Sequence, residues 1–168
     1  SAAGSESQAW EVCLISSSNR TKVGVWKMPG GGVEKGEDPS AAAEREVIEE
    51  AGLKGTVVQA LGVYQNNEKK TRTQWFVMSV TEELETWEEG ELGRLRKWFP
   101  IDDAYAVLPS DYHRMLLRQA VDAIVSKARE AAEGNSKDGA GRARRGSVDV
   151  DDHTGEQAAE RVHSRKVE

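Results

Sequence analysis

Apolar and polar positions change period several times along the chain, and those changes predict its elements. Trp10–Ile15 carries the unbroken run Val12-Cys13-Leu14-Ile15 and reads as a buried strand. A polar loop follows from Ser16 to Lys22, and Pro29-Gly30-Gly31-Gly32 is a sharp break. Asp38 and Pro39 suit the N-cap and first helical position, and Gly52 suits the residue after the last turn, so a helix is expected between them. Thr56–Gln65 and Thr73–Val80 read as strands separated by the charged stretch Asn66–Arg72. Thr81–Glu91 is acidic and reads as a solvated loop, and Arg94–Pro100 as a further short strand. From Tyr112 to Ala132, Leu116, Leu117, Ala120, Val121, Ile124, Val125 and Ala128 recur at helical spacing. The order β, α, β, β, β, α lacks strict βαβ alternation, which predicts a mixed sheet packed between helices.

The patterning fades near Gly134. Beyond it large apolar residues are almost absent, and seven basic residues balance seven acidic ones. Such a segment cannot bury enough surface to offset its ordering entropy, so residues 1–133 are expected to form the domain and 134–168 a disordered tail. The tail includes Arg144-Arg145-Gly146-Ser147-Val148, which has the form of a basophilic kinase site. The 168 residues suffice for one domain, with 38% hydrophobic and 31% charged positions. No stretch is apolar enough to span a bilayer, and no basic-then-apolar leader opens the chain. A cytoplasmic location, extending to the nucleus, is therefore expected. The opening Ser1-Ala2-Ala3-Gly4, without an initiator Met, suggests a chain that begins partway into a first strand. Cys13 is the only cysteine, which excludes an internal disulfide and a cysteine-built metal site, and it reads as a small core residue. The net charge of −6 argues against a non-specific nucleic-acid binder.

The helix after Asp38 carries the candidate chemistry. Glu46, Glu49 and Glu50 stand at i, i+3 and i+4, so their side chains leave one face within about a turn. Like charges at this spacing repel, and a helix shaped only for stability would avoid them. Val47, Ile48, Ala51 and Ala43 occupy a neighbouring sector and are expected to anchor the helix. The carboxylate face is left for something cationic, and clustered hard oxygens select Mg²⁺ or Mn²⁺. Arg45, four residues before Glu49, is positioned to orient it. The glycines at 30–32 let the backbone approach a ligand without Cβ interference.

Together these residues spell Gly31-x5-Glu37-x7-Arg45-Glu46-Val47-x-Glu49-Glu50-x-Gly52-Leu53. This pattern resembles the signature of the Nudix hydrolases at every fixed position. The resemblance implies a Nudix-type α/β/α sandwich with a mixed β-sheet between helices, and metal-assisted attack of water on a diphosphate linkage. Flanking segments, Trp26–Glu34, Gly62–Thr73 and Gly93–Phe99, look like the diphosphoinositol polyphosphate phosphohydrolases, over about Trp10 to Arg114. Thr71 stands where those enzymes usually have His.

The resemblance implies roles residue by residue. Glu46 and Glu50, with the Gly30 carbonyl, would bind Mg²⁺ (Mn²⁺ as the substitute), and Glu49 would be the general base, supported by Arg45. Ser17, Ser18, Asn19, Gly30, Gly31 and Gly32 would line the substrate. Lys69, Lys70, Thr71, Arg94, Arg96 and Arg114 would contact phosphates. The expected partner is a small polyphosphorylated molecule, a diphosphoinositol or diadenosine polyphosphate, with no membrane and no nucleic acid other than capped RNA. Nucleotides, capped RNA or polyphosphate as substrates, and a non-catalytic phospholigand-binding module, are the alternative readings.

Overall fold

The computed structural model describes residues 10–18, 22–137 and 161–167. Among these residues seven strands form one mixed sheet: β1 (Glu11–Ser16), β2 (Trp26–Lys27), β3 (Gly30–Gly31), β4 (Leu53–Asn66), β5 (Thr71–Glu83), β6 (Arg96–Pro100) and β7 (Arg161–Val167). Four helices accompany them: α1 (Pro39–Ala51), α2 (Glu88–Glu91), α3 (Ile101–Val107) and α4 (Asp111–Lys137). The strand order is β2-β1-β7-β5-β4, with β3 paired to β7 and β6 to β1. β7 runs parallel to β1 and β3, and its other partner β5 is antiparallel. Helices cover both faces, so the architecture is the expected α/β/α sandwich around a mixed sheet.

Strand alternation distributes the core between the faces. Cys13 and Ile15 of β1 and Met78 of β5 meet Val47 and Ala51 of α1, while Phe76 meets Ala42 and Ala43. Their neighbours Val12, Leu14 and Trp75 turn the other way, into a cluster with Ile101, Ala104, Leu116 and Leu117 from α3 and α4. Val12 to Ile15 are all 0% exposed, which explains the unbroken apolar run: this strand is covered on both sides. Each large side chain so buried contributes on the order of 2 kcal/mol against the entropy of ordering the chain.

Three expectations change. Ile48 is more than a third exposed, while Ala42 takes its place in the anchoring sector of α1. β5 continues to Glu83 and α2 forms at Glu88–Glu91, so the acidic stretch 81–91 is largely ordered. Arg161–Val167, within the segment expected to lack structure, is a strand between β1 and β5. Backbone pairing demands no large side chain, and the facing edges of β1 and β5 would otherwise leave N–H and C=O groups unsatisfied. Residues 134–137 of that segment belong to α4, and 138–160 and 168 lie outside the described residues, as does the kinase-like sequence. Among the described residues no helix is long and apolar enough to cross a membrane.

Candidate active site on α1

The helix that carries the three carboxylates is fixed at both ends. Asp38 Oδ1 accepts hydrogen bonds from the Ser40 N–H at 2.9 Å and the Ser40 hydroxyl at 2.6 Å. These bonds to the charged form hold the Asp38 carboxyl below its usual pKa. Gly52 terminates the helix in the left-handed region at φ 63°, ψ 35°, and its N–H donates to the Ile48 carbonyl at 2.9 Å. Arg96 closes the same end. Its Nη1 donates to the carbonyls of Ala51 and Gly52 at 2.9 Å each, Nη2 donates to the Leu84 carbonyl, and Nε pairs with Glu83 at 3.0 Å. The guanidinium lies over the Trp87 ring, 4.2 Å from its centre.

Between these anchors, Glu46 and Glu50 face the Gly30–Gly31 strand. The Gly30 N–H donates to Glu50 Oε2 at 2.6 Å, and Lys27 and Arg94 approach Glu50 Oε1 at 3.8 and 3.6 Å. Burial raises the Glu50 pKa above the ordinary carboxylate value, and neighbouring Glu89 adds to the rise; Lys27, the Gly30 N–H and Arg94 oppose it. The Glu46 carboxylate lies against Gly31, where a Cβ would fall 2.3 Å from both its oxygens. Only glycine leaves room for that carboxylate. Glu49 is the most open of the three, its side chain 38% exposed against 13% for Glu46 and 9% for Glu50.

Arg45 ties this face together, although its main partner is not Glu49. Nε and Nη2 form a two-pronged pair with Glu37 at 2.9 and 3.0 Å, and Nη2 also donates to the Gly32 carbonyl at 2.9 Å. Nη1 reaches Glu46 at 3.2 Å and Glu49 at 3.3 Å. The Glu37 bond raises the Arg45 pKa further, so its charge is permanent. Glu37 also accepts from the Glu34 N–H at 2.9 Å, which pins the loop between β3 and α1.

Two participants escaped the sequence reading. Glu89 of α2 sits in the stretch taken as a solvated loop. It receives Arg94 Nε at 2.6 Å and Nη2 at 2.5 Å, and Arg94 Nη1 donates to the Ser16 carbonyl at 2.7 Å. Arg94 is thus buried beside Glu50, its side chain 5% exposed. Lys27, the second omission, comes from β2. No local periodicity signals either contact.

Of the residues expected to line the substrate, Ser17 and Ser18 share a cavity of about 180 Å³ with Glu89, Gly93 and Arg94. Lys69 and Lys70 are exposed on the β4–β5 turn, where Lys70 adopts a positive φ of 52°, and Thr71 opens β5. Arg96 and Arg114 are spent on protein partners. Arg114 pairs with Asp111 at 3.0 Å and donates to the Leu108 carbonyl at 2.8 Å, which fastens the start of α4 to the end of α3. Asn19 lies outside the described residues.

Among the described residues no three His, Cys, Asp or Glu groups converge as a ready-made metal site. The donor chemistry nonetheless fits a hard divalent ion. Around α1, Glu37, Glu46, Glu49, Glu50 and Glu89 are bridged by Lys27, Arg45 and Arg94, so the described ion pairs leave two negative charges in excess. The Gly31 cradle holds one carboxylate ready, and the Gly30 N–H holds another. Oxygen ligands in this balance suit Mg²⁺.

A mixed sheet between helices, with a glycine strand facing a carboxylate-bearing helix, agrees with the α/β/α sandwich that the sequence resemblance implied. A NUDIX domain model matches residues 4–120, and the chain belongs to that family. It is 50% identical over 99 residues to diphosphoinositol polyphosphate phosphohydrolase 2 of Rattus norvegicus, covering 58% of this chain and 54% of the relative. The human protein of that name is 48% identical over the same shares. Diphosphoinositol polyphosphate phosphohydrolase 3-alpha of Mus musculus is 52% identical over 100 residues, 58% of this chain and 60% of the relative. The chain therefore spans a little over half the length of these relatives.

Proposed function

We propose that the chain is a Mg²⁺-dependent phosphoanhydride hydrolase acting on diphosphoinositol and diadenosine polyphosphates. The observation that carries this reading is the carboxylate array of α1, held opposite Gly30–Gly31 by Arg45, Lys27 and the Gly30 N–H. Glu46, Glu50 and the Gly30 carbonyl would hold the ion, which when bound supplies charge neutralisation at the phosphoryl oxygens and lowers the pKa of water. Glu49, open to solvent and tethered by Arg45, takes the proton from the attacking water. Arg45 keeps Glu49 and Glu37 in fixed relation, so the base does not wander. Gly31 and Gly32 admit the substrate chain, Ser17 and Ser18 offer hydroxyls to it, and Lys69, Lys70 and Thr71 meet its outer phosphates. Arg94 acts indirectly, by holding Glu50 and Glu89. Cys13, buried and single, is compatible with the cytoplasmic or nuclear setting we propose.

The test is a substrate panel with Mg²⁺, in which ³¹P NMR follows a diphosphoinositol pentakisphosphate and a diadenosine polyphosphate. Loss of the diphosphate resonance, abolished by chelation, is the expected result. No turnover of either compound would overturn the proposal.

A further inference from the structure

Among the described residues two cations face Glu50, and neither comes within hydrogen-bond distance of its Oε1: Lys27 Nζ stands at 3.8 Å and Arg94 Nη2 at 3.6 Å. For Arg94 the gap is informative. Its side chain is 5% exposed and that of Glu50 9%. A buried guanidinium beside a buried carboxylate gains most by closing to a two-pronged pair. Glu89 holds it back. Arg94 Nε and Nη2 both donate to Glu89 Oε2, at 2.6 and 2.5 Å, and Nη1 donates to the Ser16 carbonyl at 2.7 Å. All three nitrogens are engaged before Glu50 is reached.

The local fold fixes Glu89 for this part. The Arg94 N–H donates to the Glu89 carbonyl at 2.9 Å, and Gly93, at φ 95°, turns the chain between them. Main chain and side chain therefore clasp the same residue. α2 is in turn tied to α1. The Trp87 indole N–H donates to the Glu50 carbonyl at 3.1 Å, and the Trp87 ring lies so close to Gly90 that a Cβ there would fall 2.4 Å from it. The backbone that carries Glu89 is thus set from the backbone that carries Glu50. Glu89 itself is the most open of the three charged partners, its side chain 31% exposed.

Without Glu89, the Arg94 guanidinium would be a buried charge with the Glu50 carboxylate 3.6 Å away. An arginine closed on Glu50 takes the oxygen that a divalent cation needs, and the cation must then displace it. Resting on the hydrolase reading above, we infer that Glu89 is a positioning residue for the cation site: it diverts Arg94, so that Glu50 is steadied but left open to the metal. The Glu89 charge also attracts a cation through space, but that attraction does not depend on Arg94. The two effects can therefore be separated.

The test is a double-mutant cycle read by Mn²⁺ binding, followed through water proton relaxation. Glu89→Gln should weaken Mn²⁺ about tenfold, and Glu89→Asp, which keeps the charge, should stay within about threefold of the wild type. In an Arg94→Met background, Glu89→Gln should change the affinity by less than about twofold, because no arginine is left to divert. A second readout needs only the single variant. Mg²⁺ should shift the Arg94 Nε–H resonance more in Glu89→Gln, where it displaces the guanidinium from Glu50, than in the wild type. An equal loss of affinity in both backgrounds would mean that Glu89 acts on the cation directly. An unchanged affinity in Glu89→Gln would mean that it only clasps its turn. Either result, or equal Arg94 shifts in both proteins, would overturn the inference and leave the hydrolase reading standing. No Mn²⁺ binding by the wild type would instead sink the hydrolase reading itself.

Discussion

On one side of the sheet, Cys13, Ile15, Phe76 and Met78 pack against a helix whose adjoining flank carries Glu46, Glu49 and Glu50. On the other, Val12, Leu14, Trp75 and Val77 pack against α3 and α4. The same strands supply both faces by alternation, yet the α1 side concentrates like charge and the α4 side concentrates aromatic surface. The α1 side is kept in place by ion pairs and two caps, with a buried carboxylate whose charge costs energy. The α4 side is kept in place by area removed from water, together with hydrogen bonds such as those of Arg114 to the Leu108 carbonyl and Tyr64 to Gln119. Charge that must stay poised for a cation needs rigid polar neighbours, whereas an apolar face needs only shape.

The contrast can be broken in order of expected effect. Glu49→Gln should lower kcat about 10²–10⁴-fold, the range for loss of a general base, with an unchanged melting temperature because Glu49 is the most open of the three carboxylates. Steady-state kinetics beside thermal unfolding checks both halves. Arg96→Ala should act in the opposite sense, costing about 2–3 kcal/mol of stability in urea unfolding, since it takes the donor from the Ala51 and Leu84 carbonyls near the end of α1, the Gly52 carbonyl keeping the Leu84 N–H. Arg96→Lys should not restore it, because one ammonium cannot reproduce the fork. A stability near wild type for either variant would place Arg96 outside the fold's framework.

Gly31→Ala sharpens the comparison further. The added methyl meets only the end of the flexible Glu46 side chain, so the fold should hold within about 2 °C in melting temperature. Mg²⁺ affinity should fall about tenfold as the carboxylate is displaced, measured by the Mg²⁺ dependence of turnover. The smallest effect concerns pH. The folded chain holds a proton on Glu50 more tightly than the unfolded chain does. This contribution to stability is fully present below the unfolded pKa near 4.5 and is lost as pH rises through the raised folded value. Melting curves of chelated wild type should decline across that window relative to those of Glu50→Gln; parallel curves would contradict the burial argument.

How much was legible in the sequence follows the same division. α1 was readable because its signals are local: Asp38 and Gly52 mark its ends, and three glutamates at fixed spacing mark its face. The β4–β5 pair was readable from its hydrophobic runs, although pairing extends it to Leu53–Asn66 and Thr71–Glu83. α3, at seven residues, is too short to show a period. The arginines are a different case. Arg94, Arg96 and Arg114 look alike in sequence whether they meet phosphate or backbone, and the partners that decide it include Ser16, 78 residues from Arg94, and Ala51, 45 from Arg96. β7 escaped because a strand held by backbone pairing need not announce itself with apolar residues. The contacts of Tyr112 with Tyr64 and Trp75 escaped because the docking of α4 brings these distant residues together.

The central claim, that the α1 face is a divalent-cation site poised for hydrolysis, is tested most directly by titrating Mn²⁺ into the chain and following water proton relaxation. The account predicts saturable binding by the wild type, retained in Glu49→Gln and lost or weakened at least about tenfold in Glu46→Gln and Glu50→Gln. Equal binding by all four proteins, or none by the wild type, would contradict it.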